Sequence, residues 1–210
     1  MSTKSQSISS NAIMLATFAF CCTLLVVVVN YFTAPQIEHQ IEQQRRKSMN
    51  EVLPTQLTSI AYQQQCYIDT NLGYLGSDKA QTIRVISNKG QVQAYVYPIT
   101  APDGYGGAIS LLVGVEANGK ISGVRVVQHN ETPGLGDKIE TRKSDWIYQF
   151  NQQFLLDEND SRWAVKKDGG QFDAFTGATI TPRAVVKAVK KALIYHAKNH
   201  QTIGISAVDC

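Results

Sequence analysis

From Ala12 to Phe32 the chain reads AIMLATFAFCCTLLVVVVNYF, twenty-one residues without a charge. At ~1.5 Å per residue, about 20 helical residues cross a hydrocarbon core roughly 30 Å thick. A helix that is apolar all round has no face for water. The segment therefore predicts a membrane span, and whatever folds in water must come from the rest of the chain. Tyr31 and Phe32 put aromatic rings at one edge, where the membrane interface favours them, and Pro35 predicts the end of the helix. A cleaved signal peptide would have an apolar core nearer ~7–15 residues, behind a stronger positive charge than Lys4. A lipid-attached Cys21 would want a small residue where Phe20 stands. The expectation is a retained anchor over 12–32, held in membrane lipid and preceded by a short terminus, 1–11. The charge rule leaves its orientation open, because Lys4 lies before the span and Arg45, Arg46 and Lys47 lie after it.

The 210 residues suffice for one ordinary domain plus this appendage. The segment 36–49 (QIEHQIEQQRRKSM) is polar with sparse apolar positions and predicts a helical stalk within a linker, 33–60. The domain itself is expected over 61–210. A net charge of +3, with no block of Lys and Arg interleaved with aromatics, argues against nucleic acid. The four cysteines form no C-x-x-C pair. His39, His129, His196 and His200 have no ligand spacing, so no metal site is expected. Cys66 and Cys210 are either two unrelated thiols or, in an oxidising compartment, a disulfide tying the C-terminal tail to the start of the domain.

Beyond the stalk the apolar period shortens. Thr82–Ile86 and Val92–Tyr97 flank Ser87-Asn88-Lys89-Gly90, which predicts a hairpin. A second hairpin joins Ala108–Glu116 to Ile121–Gln128 through Ala117-Asn118-Gly119-Lys120. The strand AISLLVGV is nearly all apolar and is expected to be central, covered on both faces. Ser144–Phe154 has helical spacing behind a Ser/Asp cap, and Trp163–Lys166 suggests a short strand. The last helix begins with Thr181 as N-cap and Pro182 at its first position. Its apolar face is Val185, Val186, Val189, Ala192 and Leu193. The order of elements predicts an α+β domain, a largely antiparallel sheet with flanking helices.

The chemistry concentrates just before that helix, in Asp173-Ala174-Phe175-Thr176-Gly177-Ala178-Thr179-Ile180-Thr181-Pro182. Free N–H groups and the positive end of the helix dipole favour a phosphate there. Gly177 and Ala178 remove bulk where a large group would approach, and Asp173 adds a carboxylate upstream. Taken alone, the segment reads equally as a loop whose hydroxyls cap a helix. A Thr hydroxyl is a poor nucleophile, so any covalent attachment requires a separate transferase. Glu131-Thr132-Pro133-Gly134-Leu135-Gly136, alone, is a Pro-Gly turn after a strand. Gly104-Tyr105-Gly106-Gly107 lacks the strand-to-helix setting of a dinucleotide fingerprint. Arg183, Lys187 and Lys191 lie within reach of a phosphate or form an ordinary solvated face. No Ser/His/Asp or Cys/His constellation is present, and no catalytic residue is expected.

Asp-x-x-Thr-Gly-Ala-Thr resembles the flavinylation motif of proteins that carry FMN through a phosphoester bond. With GYGG at 104–107, the LLVGVEANGKISGVRVVQHN hairpin, ETPGLG and the single anchor, the resemblance covers nearly the whole chain. It is to the FMN-binding domain family shared by the G-type component of the Rnf (Rsx) electron transport complex and the C-type component of sodium-translocating NADH:quinone reductase. Length and anchor make the Rnf component the nearer of the two.

The resemblance implies FMN joined by its phosphate to Thr179, which makes the chain a phosphoprotein. Family members often carry Ser where this chain has Thr176, a change that keeps the hydroxyl. It further implies that Asp173, Thr176, Gly177, Ala178 and Thr181 form the attachment segment. Glu131, Thr132, Gly134 and Leu135 would line the isoalloxazine, with Tyr105 a neighbour. A flavin transferase would load the cofactor. The other membrane subunits of the Rnf/Rsx complex would be the partners, and the domain would face the periplasm from the inner membrane, the compartment that suits a Cys66–Cys210 disulfide. The implied function is relay of electrons within an ion-translocating oxidoreductase, with no independent substrate site. The contrasting reading is a membrane-tethered binding or structural module whose Thr-rich loop only caps a helix.

Overall fold

A computed structural model describes residues 2–57 and 61–210, with side chains described from residue 11 onward except 38, 39, 41, 42 and 44–46. Met1 and the last three residues of the expected 33–60 linker lie outside the described residues. The chain divides into two compact units, one ending at Arg45 and the other running from Arg46 to Cys210.

The first unit is the bulk of helix α1 (Ser2–Val52), long and apolar enough over Asn11–Ile37 to cross a membrane. The hydroxyls of Thr17, Thr23 and Thr33 donate to the carbonyls of Ile13, Ala19 and Val29, four residues back, at 3.1, 2.8 and 2.8 Å. Each polar group is thereby satisfied within the helix, as an apolar medium requires. Pro35 does not end the helix, contrary to expectation. It removes one donor, but the good helix formers of the following Gln/Glu-rich stretch carry the helix on to Val52.

In the second unit, six strands form one antiparallel sheet: β1 (Gln63–Asp69), β2 (Gln81–Asn88), β3 (Gln91–Ala101), β4 (Ile109–Glu116), β5 (Ile121–Gln128) and β6 (Val208–Asp209). Their spatial order is β5-β4-β3-β2-β1-β6. The turn between β2 and β3 has Lys89 and Gly90 at φ 49° and 79°, the paired positive values of a type I′ hairpin turn. Strand β4 is buried on both faces, as its composition predicts.

One face packs on the long C-terminal helix (Ile180–Ser206), α3 in chain order after the short α2 (Leu72–Leu75). Its Val185, Val189, Ala192 and Leu193 meet Tyr97, Ile109, Leu111 and Val113 in the main core. Within it the Tyr97 hydroxyl and His196 Nδ1 share a hydrogen bond of 2.8 Å, and burial, aided by His200, holds that imidazole down to about pKa 4. Tyr195 reaches Asp69 on β1, and burial followed by that contact raises its phenol well above the ordinary range.

The opposite face receives the end of α1. Gly114 and Gly123 pair directly across β4 and β5. A Cβ on Gly114 would overlap the Val52 carbonyl, and one on Gly123 would lie 3.0 Å from Val52 Cα. Two glycines thus open a flat seat for a helix end. Ser122 donates to the Val52 carbonyl at 2.5 Å and Arg125 Nε to Glu51 at 2.8 Å, so an orphan carbonyl of the last turn finds a partner. Val52, Leu53 and Leu57 then cover Ile86, Ala94, Val96 and Leu112.

Three expectations fail locally. Ser144–Phe154 forms only a 3-10 turn, Trp146–Phe150, because Trp146, Ile147 and Phe150 are drawn into the core as anchors. Trp163–Lys166 is no strand, only a single bridge from Val165 to Phe172. Thr181 is not the N-cap of α3; that position falls on Thr179. Strand β6 and the adjoining β1 are joined by a Cys66–Cys210 disulfide with an S–S distance of 2.05 Å.

Candidate functional site

Strands β3 and β4 run in opposite directions, so the connection between them emerges at the same end of the sheet as the segment after β5. Residues 102–108 and 129–136 are therefore neighbours by topology. The N-terminus of α3 joins them there, because the Thr181 hydroxyl donates to Glu131.

The attachment segment is a tight turn. The Ala178 amide donates to the Phe175 carbonyl at 3.2 Å, and Gly177 sits at φ 82°, the value a type II turn requires at its third residue. Beneath it, the Trp146 indole donates to the Asp173 carbonyl at 2.7 Å and packs edge-on against Phe175 at 5.1 Å. Trp146 is a site residue that sequence reasoning missed; its only sequence signal was that of an apolar helix position. The Asp173 carboxylate pairs with Lys166 at 2.6 Å, on the surface. Thr176 and Gly177 are exposed, and Thr179 is partly so. Thr179 makes no capping hydrogen bond, although it occupies the N-cap position of a 27-residue helix.

Opposite lies the 131–136 loop. The Thr132 carbonyl accepts the amides of Leu135 and Gly136, both at 3.1 Å, with Gly134 at φ 78°. Leu135 is 41% exposed, and its Cδ2 would lie 3.6 Å from a Cβ placed on Gly177. The two loops thus lie side by side where Gly177 omits a side chain. Tyr105 (69% exposed) and Ile180 are exposed apolar groups on neighbouring segments.

Glu131, by contrast, is only 5% exposed. Its Oε1 accepts the Gly106 amide at 3.0 Å and its Oε2 the Thr181 hydroxyl. Its own amide donates to His129 Nδ1 at 3.0 Å, while His129 Nε2 meets Glu140 at 2.7 Å. The expected flavin-lining carboxylate is therefore engaged by protein donors, and the Thr181 hydroxyl is committed to it as one of them. Gly104, Gly106 and Gly136 make room for this arrangement. A Cβ on Gly104 or on Gly136 would come within 2.8 Å of a Glu131 oxygen. A local pattern could not have placed Gly136 fully, because one of the groups it avoids, the Thr181 hydroxyl, comes from another segment.

Of the two readings of the basic residues, the solvated face fits Arg183 and Lys187, which pair with Asp168 and Asp103 at 2.6 Å each. A phosphate here would rest chiefly on first-turn amides and the helix dipole. Asp137 adds one buried carboxylate oxygen without a hydrogen-bond partner among the described residues. The Gly134 amide, then Lys143, hold its acid below the ordinary range. A partly exposed hydroxyl at a helix N-terminus and the exposed apolar groups Leu135, Tyr105 and Ile180 nearby suit FMN, phosphate and ring respectively. Among the described residues no cluster of three His, Cys, Asp or Glu side chains could hold a metal ion.

Fold and site together define a class, a flavin-mononucleotide-binding domain behind a single apolar helix. The family model described as FMN-binding domain matches residues 104–194, and that described as RnfG N-terminal region matches residues 1–52. Curated relatives match along nearly the whole length, among them G-type components of an ion-translocating oxidoreductase complex. That of Shewanella loihica is 44% identical over 205 residues, 98% of this chain and 97% of its own. Those of Cronobacter sakazakii and Pectobacterium atrosepticum are 50% and 49% identical, covering 90% and 88% of each chain. The chain belongs to this family, RnfG, the G-type component of ion-translocating oxidoreductase complexes.

Proposed function

We propose that this protein is a membrane-anchored flavoprotein that relays electrons within an ion-translocating oxidoreductase complex, through FMN held by a phosphoester to Thr179. The observation that carries the reading is Thr179 itself: partly exposed, making no capping hydrogen bond, and at the N-terminus of a long helix. Bound FMN supplies one- and two-electron transfer, which no side chain here provides.

The chain's own residues bind and orient. Thr179 Oγ forms the new bond to phosphorus, while the phosphoanhydride bond of an activated flavin donor breaks. The hydroxyl proton passes to a base of the flavin transferase and a phosphate monoester leaves. No electrons are exchanged, and the protein gains the mass of FMN less water. Ala178 and Gly177 leave space for the transferase and the cofactor, with Thr176 and Asp173 flanking the acceptor. Leu135, Gly134, Thr132 and Tyr105 border the ring, with Glu131 behind them.

In this reading residues 1–11 are cytoplasmic and 12–32 cross the inner membrane. Residues 33–60 form a stalk and 61–210 a periplasmic domain. The partners are the other membrane subunits of the complex. Covalent attachment keeps the cofactor from escaping into the periplasm and fixes it relative to the next redox centre.

The test is to express the full chain with a flavin transferase and run it denatured on a gel. Flavin fluorescence should migrate with the wild-type band, persist in Thr179→Ser and vanish in Thr179→Ala. Equal fluorescence in Thr179→Ala would overturn the proposal.

A further inference from the structure

The buried Glu131 carboxylate bridges the Gly106 loop and the first turn of α3, two residues from Thr179, and so bears on where Thr179 points. This deepens the reading of Thr179 as acceptor and rests on it. Thr181 is fully buried, although a Thr in the first turn of a surface helix is ordinarily wet. Its hydroxyl donates to Glu131 Oε2, and the same carboxylate takes the Gly106 amide through Oε1. Residues two apart on a helix are separated by roughly 200° around its axis. A bond that draws Thr181 inward therefore turns position 179 outward. The Thr179 backbone, at φ −85° and ψ −21°, is already helical, so this rotation reaches it.

We infer that Glu131 is a positioning residue: by pinning Thr181 inward to the Gly106 loop, it aims the Thr179 hydroxyl outward as acceptor of the flavin phosphoryl group. A carboxylate suits the task better than an apolar contact. Hydrogen bonds are directional, and two donors from separate segments fix one rotational setting of the helix start. Its negative charge is also favoured beside the first turn of α3. The surroundings are shaped to it. A Cβ on Gly136 would approach Glu131 Oε2 at 2.8 Å and Thr181 Oγ1 at 2.9 Å, so a side chain there would push the pair apart. On the backbone side, His129 and Glu140 brace the Glu131 amide.

The experiment measures flavin transfer to the purified full-length protein by a flavin transferase with flavin adenine dinucleotide, resolving kcat from KM for the protein substrate. Thr181→Val keeps the shape and removes the donor, whereas Thr181→Ser keeps the donor. The expected result for Thr181→Val is a kcat lower by about tenfold or more at unchanged KM, since a mis-aimed group can lose up to ~100-fold. Thr181→Ser should stay within about twofold of wild type, because it keeps the aiming bond. A merely structural role would lower the melting temperature of Thr181→Val and leave kcat of the folded protein untouched, which would overturn the inference. If Thr181→Val does not fold, Glu131→Gln decides in its place. It exchanges one acceptor for a donor at constant size, and a wild-type kcat there would overturn the inference. A wild-type protein that acquires no label at Thr179 would instead overturn the assignment of the acceptor.

Discussion

Two regions of the domain use the same device to different ends. On one face of the sheet, Gly114 and Gly123 remove side chains so that the backbone of Glu51 and Val52 can lie against the strands. At one end of the sheet, Gly104 and Gly136 remove side chains around the Glu131 carboxylate, and Gly106 beside the backbone of residues 130 and 131. The seat is completed by bonds to main-chain and surface groups, Ser122 to Val52 and Arg125 to Glu51, and by an apolar cover of Leu53 and Leu57. The other place is closed around a charge, beside the partly exposed Thr179 and the exposed Leu135. Omitting a Cβ permits close approach in both, and what approaches decides the role: a helix end in one, a positioning anion in the other. Glycine alone does not mark a cofactor site.

Substitutions sharpen this contrast in order of size. Both regions hang on one sheet, so weakening its far edge should weaken them together. Cys66 and Cys210 are 144 residues apart, and loop-closure entropy gives an upper figure of about 5 kcal/mol for such a crosslink. Replacing both with Ser should lower the melting temperature strongly while leaving flavin content of the folded protein unchanged. A lost flavin would mean that the edge and the site are not separable.

Acid should act next, through the core between the two regions. His196 is held at about pKa 4 against an ordinary 6.5, chiefly by burial. The folded state thus favours the neutral ring, and the stability it contributes is whole above pH 6.5, lost as pH falls through the window down to about 4, and level below. At ~1.4 kcal/mol per pH unit the loss is on the order of 3 kcal/mol. Thermal melts at stepped pH should show that slope, and His196→Phe should flatten it; an unchanged slope would remove the histidine from the account.

Gly114→Ala and Gly104→Ala divide the two regions directly. Each forces a Cβ into a closed space, for which about 1–3 kcal/mol is the usual loss. Gly114→Ala should reduce stability alone, whereas Gly104→Ala, which crowds the Gly107 carbonyl and Glu131 Oε1, should also slow flavin transfer. Equal transfer rates in the two variants would break the comparison. Least of all, Arg183→Ala and Lys187→Ala should change neither melting nor flavin load, since both residues sit in exposed ion pairs.

The parts of the fold legible in the sequence were those with local causes. Asn88-Lys89-Gly90 and Asn118-Gly119 marked both hairpin turns, and the even apolar stripe of Val185, Val189 and Leu193 marked α3. The span over 12–32 needed only length and absence of charge. Strand β1, QQQCYID, was not legible, because its polar residues pair as a strand only where β2 offers a partner. Nor was the fate of Ser144–Phe154, whose aromatics were claimed by a core built from elsewhere. In the site, the turn and its hydroxyls could be read directly. The inward setting of Thr181 could not, since its partner lies fifty residues away on another segment. Pro35 misled for the reverse reason: a local rule yielded to the helix formers that follow it.

The central claim is that Thr179 is the residue joined to the cofactor. The direct measurement is peptide mass mapping of the denatured full-length protein matured with a flavin transferase. The account expects the fragment containing residues 173–183 to be heavier by one FMN less water, with fragmentation placing the added mass on Thr179. The same mass on Thr176 or Thr181, or an unmodified fragment beside a flavin that washes away on denaturation, would contradict it.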